Sequence, residues 1–356
     1  MSRAGREERG RAGAGAAGRG GLSGAAGRAR PGWTLAILAL LWIAVLLGGP
    51  LLGSYGLDLP RAFEAGTTEA TILWQLRLPR VLLALVGGGA LAVAGLAFQT
   101  LFRNDLAEPY TLGVAGGAAL GAVLALHLTA GAAPADGLAG FTVVAAASFA
   151  GALAATALVV GLALRPRGIE TGTLLLAGIA VSFSSSALIL FLQYLSDFTQ
   201  TYRMVRWMMG GLAVAGYRDV GWVALWVVAG TGLLLALRWD LNLLLTGEEL
   251  AASRGVDLSR LRLLVLGAAS VMVGSLVSVA GPIGFVGLIV PHMLRRHAGP
   301  DHLVLAPACF LGGGAFLALC DLAARTVMAP AELPVGVLTA LLGGPFFLWL
   351  LLVRRR

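Results

Sequence analysis

Ten apolar runs, most of them long enough to cross a bilayer, follow one another along this chain. An α-helix needs about 20 apolar residues to cross about 30 Å of hydrocarbon. The candidate segments are 33–53, 79–101, 111–130, 138–164, 172–195, 219–238, 261–281, 283–297, 303–326 and 334–353. In lipid every backbone polar group must find its partner within the protein, which helices achieve on their own. No alternating ten-residue pattern points to a barrel instead. The expected fold class is all-α: a polytopic integral membrane protein with about ten transmembrane helices. The eighth segment is short, carries Pro291 and His292, and reads as half-buried or partly re-entrant.

Composition narrows the chemistry. Only 12% of residues are charged, against about a quarter in soluble domains. All 26 basic residues are arginine. Without lysine there is no P-loop and no Schiff-base nucleophile, so any ATP that drives this protein binds to another chain. On a membrane protein the net charge of +8 records Arg-rich cytoplasmic loops, not a nucleic-acid partner. Residues 1–32 are Arg, Gly, Ala, Ser and Glu with almost no large apolar group. They read as a disordered cytoplasmic tail ahead of a membrane domain spanning 33–353. The basic stretch and the apolar run Trp33–Leu52 are both too long for a secretory signal, so that run is expected to be retained as a span.

Arginine also sets the orientation. With a cytoplasmic N-terminus, the inside segments hold the tail arginines, Arg103, Arg165, Arg167, Arg238, Arg254, Arg260, Arg262, Arg295, Arg296 and Arg354 to Arg356. The outside keeps Arg61, Arg77, Arg80, Arg203, Arg206, Arg218 and Arg325. This follows the positive-inside rule and puts both termini in the cytoplasm.

No catalytic, cofactor or metal site stands out. Cys309 and Cys320 lie eleven residues apart in one run, about 16 Å along a helix, too far for a disulfide. The four histidines are scattered, and no Cys/His cluster has ligand spacing. The glycines at 87–89 follow no strand and make no dinucleotide fingerprint. Asp321 is the one acidic residue deep in a predicted span, and Arg325 four residues later offers it an ion pair. An ion-driven secondary transporter would want more intramembrane carboxylates than this. Gly113, Gly117 and Gly121 form a small-residue stripe, suited either to a moving interface or to static close packing.

Two charged regions remain. From Leu241 to Arg262 the chain reads LNLLLTGEELAASRGVDLSRLR. Thr246 with Glu249 suggests a capping box that starts a helix at Gly247, Gly255 a helix stop, and Asp257 the cap of the next helix. This compact cytoplasmic element presents Glu248, Glu249 and Arg254, either as a connector or as a docking surface. At the outer side Arg77, Arg80 and Arg325 resist the positive-inside trend. They suit either an acidic partner or snorkelling to headgroups.

The stretch RLPRVLLALVGGGALAVAGLAFQTLFRNDLAEPYTLGVAGGAALGA, from Arg77 to Ala122, resembles the FecCD/BtuC-like permeases that import iron–siderophores, haem and vitamin B12. So do WMMGGL at 207–212, GEELAASRGV at 247–256, GPIGFVGLIVPHMLRR at 281–296 and ELPVGVLTALLGGPFFLWLL at 332–351. The resemblance runs from about residue 60 to the C-terminus, in order, and excludes the tail.

It implies the fold of a type II ATP-binding-cassette importer permease and a non-catalytic transport role. The implied partners are a second permease copy in a homodimer, two ATPase subunits, an extracytoplasmic substrate-binding protein and membrane lipid, with no cofactor. Gly247, Glu248, Glu249, Ala252, Arg254 and Gly255 would couple to the ATPase. Arg77, Arg80 and Arg325 would dock the binding protein. Ser182, Ser184, Ser185, Ser186 and Gln193 would line the pathway, although serine can equally bond back to its own helix. Iron–siderophore is the broadest cargo expectation, with haem and cobalamin beside it.

Overall fold

The computed structural model describes residues 31–53, 56–129, 143–165, 168–213 and 216–354. The tail of 1–30, residues 138–142 of the fourth predicted span, and Arg167, Arg355 and Arg356 among the orienting arginines lie outside these.

In chain order the helices are α1 (Pro31–Gly48), α2 (Leu59–Ala62), α3 (Thr68–Ala70), α4 (Leu78–Leu101), α5 (Val114–Leu128), α6 (Val143–Ala163), α7 (Thr171–Leu195), α8 (Phe198–Met208), α9 (Tyr217–Ala236), α10 (Arg238–Leu244), α11 (Glu248–Ser253), α12 (Leu258–Ala280), α13 (Val286–Ala298), α14 (His302–Thr326) and α15 (Val335–Arg354). A helix falls on each of the ten predicted segments. Among the described residues seven helical segments are long and apolar enough to cross a membrane; α5 and the apolar part of α15 are shorter, and α13 has only 13 residues. The strands among the described residues are β1 (Leu164–Arg165) and β2 (Gly168–Ile169), an antiparallel pair between α6 and α7.

The second predicted span starts earlier than expected. Pro79 marked its start in the sequence, yet the helical segment runs Thr68–Leu101. Thr71–Arg77 is wound as a π-helix, with the Leu78 N–H reaching the Leu73 carbonyl. Pro79 has no N–H, and its ring would strike the carbonyl four residues back in a regular helix. The wider turn accommodates it.

Most of α4 is buried, with α9, α12, α13 and α14 packed around it. Close approach is what the glycines provide: a Cβ at Gly95 would overlap the Gly287 carbonyl of α13. Without a hydrophobic drive between helices in lipid, such contact supplies the packing energy. The predicted stripe in α5 is divided. Gly117 and Gly121 press on α6 at Gly151 and Ala147, whereas Gly113 faces Gly178 and Val181 of α7. Gly113 is not in the helix at all: it caps α5 at φ +81°, a conformation glycine adopts freely.

The eighth segment is half-buried, as expected. Val286 to Pro291 of α13 are buried while its last turn is partly exposed. Among the helices without a counterpart in the sequence reading, α8 is the longest. In α8, Asp197 caps the start by accepting from the Gln200 N–H at 2.8 Å. Met204 is buried while Phe198, Tyr202, Arg203 and Arg206 are exposed.

Candidate functional site

A groove of about 520 Å³ opens between α7 and the loop joining α4 to α5. Asn104, Leu106, Ala107, Tyr110 and Thr111 of the loop line it, facing Leu175, Ile179, Ser182, Phe183 and Ser186 of α7. No lining residue is charged. Of the expected pathway residues, Ser182 and Ser186 are in this wall, and both hydroxyls donate back to their own helix, to the Gly178 and Ser182 carbonyls. Ser185 is buried against Gly116 of α5. Ser184 is exposed outside the groove. Gln193 donates to the Met208 sulfur of α8 at 3.7 Å.

The loop is tightly wound. Arg103 sits at φ +48°, the Asn104 side chain accepts from the Leu106 N–H at 3.0 Å, and the Ala107 N–H donates to the Asn104 carbonyl at 3.0 Å. Farther along, the Ile283 N–H donates to the Tyr110 hydroxyl, and Glu108 meets the backbone of Phe285. Loss of water raises the Glu108 carboxyl to about 7, against the opposing pull of the Phe285 contact. Burial, then the neighbouring Glu108 charge, keeps the Tyr110 phenol protonated far above its usual range.

The 241–262 region forms the expected compact element, with one correction. The capping box is not formed. Gly247 is the N-cap of α11 at φ +131° with no side-chain cap. The Thr246 hydroxyl instead donates to the Leu243 carbonyl at 2.7 Å, because Thr246 sits in the turn that closes α10 and an orphan carbonyl is nearer there. Gly255 ends the element at φ +90°, and Asp257 caps α12 through the Arg260 N–H, both as read. Glu249, Ala252, Arg254 and Gly255 are exposed and Gly247 half-exposed.

Glu248 stays partly exposed while its carboxylate reaches inward. It pairs with Arg262 of α12 at 2.7 Å and accepts from Thr171 of α7 at 3.3 Å, while Arg262 also donates to the Ile169 carbonyl. Asn242 of α10 donates to Asp301 at 2.8 Å and accepts from His302, whose other ring nitrogen meets Thr100 of α4. Those hydrogen bonds, with the Leu303 N–H first among them, hold Asp301 below the usual carboxylate range.

At the other end Arg77, Arg80 and Arg325 converge, and they do so below the surface. Arg77 is 8% exposed and Arg325 3%, which excludes snorkelling for both. Arg77 donates to the Pro50 and Leu51 carbonyls at 3.3 and 3.4 Å. The expected pair of Asp321 with Arg325 is present at 3.2 Å. The stronger partner of Asp321 is Arg80, which grips both carboxylate oxygens at 2.9–3.0 Å and reaches Glu332 at 2.8 Å. Arg80 and Glu332 are 252 residues apart in sequence, so no local pattern linked them. Cys309 and Cys320 are buried free thiols of α14. No cluster of three His, Cys, Asp or Glu suited to a metal occurs among the described residues.

A multi-pass helical body that opens an uncharged groove between a spanning helix and a tight loop is the build of a membrane permease. The chain belongs to the FecCD transport family, which matches over residues 37–353. It is 40% identical over 332 residues to the hemin transport system permease protein HmuU of Yersinia pestis, covering 92% of this chain and 98% of that one. It is 43% identical to the cobalamin import system permease protein BtuC of Halobacterium salinarum, over 82% and 76% of the two chains. The vitamin B12 import system permease protein BtuC of Shigella boydii is 39% identical, over 91% and 96%. A solved structure described as an inward-facing conformation of a metal-chelate type ABC transporter superposes with a TM-score of 0.78 at 32% identity, over 90% of this chain and 99% of that one. The fold is that of an ATP-binding-cassette importer permease.

Proposed function

We propose that this chain is the transmembrane subunit of an importer that carries a large metal chelate across the bacterial inner membrane, driven by ATPase subunits it does not contain. The observation that carries this reading is the groove: about 520 Å³, walled by hydroxyl, amide and apolar groups without one charge. Such a wall lets a bulky cargo slide without binding it tightly. Haem and cobalamin are the cargoes in the names of the relatives above. An Fe3+–siderophore is the third candidate, from the breadth of the family resemblance.

Further parts of the reading rest on surface chemistry. Both termini lie in the cytoplasm, supported by the arginine asymmetry. The exposed face of α11 with Glu249, Ala252, Arg254 and Gly255 docks the ATPase, and Gly247 sets its angle. An extracytoplasmic binding protein docks over Arg77, Arg80 and Arg325. A second copy completes the pathway as a homodimer, supported by the one-sided groove and by the exposure of Phe183, Phe191 and Tyr194 on α7.

The test is uptake by the reconstituted complex, offered haem, cobalamin and a ferric siderophore in turn. Transport of one of them that requires both ATP and the ATPase is expected. Uptake by the permease alone would overturn the proposal.

A further inference from the structure

The segment Gly281–Arg296 is one of the motifs that carry the family resemblance, yet none of its residues lines the groove. Its contacts show what it does. Arg295, in the last turn of α13, donates from Nη1 to Asp105 at 2.6 Å and from Nη2 to Gln99 at 3.1 Å. Gln99, in the last turn of α4, donates in turn to the Gly287 and Leu288 carbonyls at 3.2 and 3.4 Å. Farther along the same loop, Tyr110 and Glu108 are held by the backbone at Ile283 and Phe285. The 281–296 segment therefore backs the groove-lining loop at Asp105, Glu108 and Tyr110.

These attachments differ in kind. Those at Tyr110 and Glu108 are made to backbone at the strained start of α13, where Phe285 holds φ +68°. The attachment at Asp105 is a side-chain ion pair, about a quarter exposed on both partners. It is within reach of water, so it can separate without breaking a helix.

We propose that Arg295 is a positioning residue for transport, whose ion pair with Asp105 holds the 103–108 loop in place as one wall of the groove, so that parting the pair is a step in opening the pathway. This rests on the reading of the groove as the cargo path. The pair also sits where movement from the α10–α11 element would arrive. Asn242 of α10 grips His302, and His302 meets Thr100, the neighbour of Gln99.

The experiment uses the full chain in lipid nanodiscs with one reporter, Ala107→Cys. Ala107 is 3% exposed and belongs to the groove wall, so a membrane-impermeant maleimide reacts there only when the loop moves. The native thiols of Cys309 and Cys320 are buried and give little background. Asp105→Asn and Arg295→Gln each remove one charge and keep the shape. Each should speed labelling about fivefold, the population change expected from losing a partly exposed ion pair.

The exchanged pair, Asp105→Arg with Arg295→Asp, should bring the rate back to within about twofold of the parent, as coupled neighbours do. A second reporter at Met204, buried in α8 and outside the groove wall, should not change in any background. Equal Ala107→Cys rates in parent and single variants would overturn the proposal. So would an exchanged pair that labels as fast as the single variants, or a matching rise at Met204→Cys, which would mean general loosening. The labelling reads the loop and not the cargo. A parent chain that labels as expected but imports no chelate with its ATPase would sink the proposed function alone.

Discussion

Arg80 of α4 closes both of its forward nitrogens on the carboxylate of Asp321 of α14, at 2.9–3.0 Å, with the aspartate 1% exposed. Arg325 shares the same carboxylate at 3.2 Å. One buried anion therefore holds two guanidinium groups between the two helices. Removing an ion from a buried set leaves its partners uncompensated, at about 3–5 kcal/mol. Asp321→Asn should lower stability by about that amount, read as thermal unfolding in detergent. A variant within 1 kcal/mol of the parent would show that water reaches the cluster.

The same geometry changes how docking over these arginines is tested. Reversing Arg80 to Glu would set two carboxylates together in the interior and disturb the fold before it tested a partner. Glu332 is the better handle. It covers the outward nitrogen of Arg80 at 2.8 Å while remaining 39% exposed, so an external carboxylate must displace it. Glu332→Gln should tighten the binding protein by up to about fivefold, the range of a partly exposed pair, and more at low salt. Weaker docking would mean that Glu332 positions Arg80 for the partner.

On α11 the two adjacent glutamates should behave differently. Glu249 is exposed, whereas Glu248 neutralises the buried Arg262. Glu249→Ala should reduce ATPase association, with stability unchanged within about 0.5 kcal/mol. Glu248→Ala should also cost about 1–3 kcal/mol of stability, because Arg262 keeps only the Ile169 carbonyl. Paired measurements of ATPase pull-down and melting temperature separate the effects. Equal melting losses in both variants would contradict the inward role of Glu248.

Glu108 predicts a pH dependence with a definite sign. Its folded pKa, about 7, is above the ordinary 4.5. A raised carboxyl binds its proton more tightly in the folded state, so its contribution is present below about pH 4.5 and is lost as pH climbs to about 7. Glu108→Gln, which stays neutral, should therefore melt higher than the parent at pH 8 and alike at pH 4.5. A stability difference that did not vary over this range would mean that Glu108 ionises freely.

The comparison of sequence with structure turns on particular residues. The ten helical segments were legible because length and hydrophobicity are local quantities. The cap at Asp257, the stop at Gly255 and the pair Asp321–Arg325 were legible too, since each is a contact within four residues. The capping box at Thr246 misread a local competition: two turns claimed one hydroxyl, and the nearer carbonyl won. The amphipathic α8 was overlooked because it is too short and polar for a search tuned to spans.

The sequence by itself determined that this chain carries its apolar helices in series, where its arginines fall between them, and that it has no lysine with which to build a P-loop. The tertiary structure alone decided that Arg80 spends its fork on Asp321, that Glu248 turns inward to Arg262, and that Arg295 clasps Asp105. Those pairs lie far apart along the chain. Charge attracts over a few ångströms whatever the sequence separation, and only the folded backbone sets which groups come within that reach.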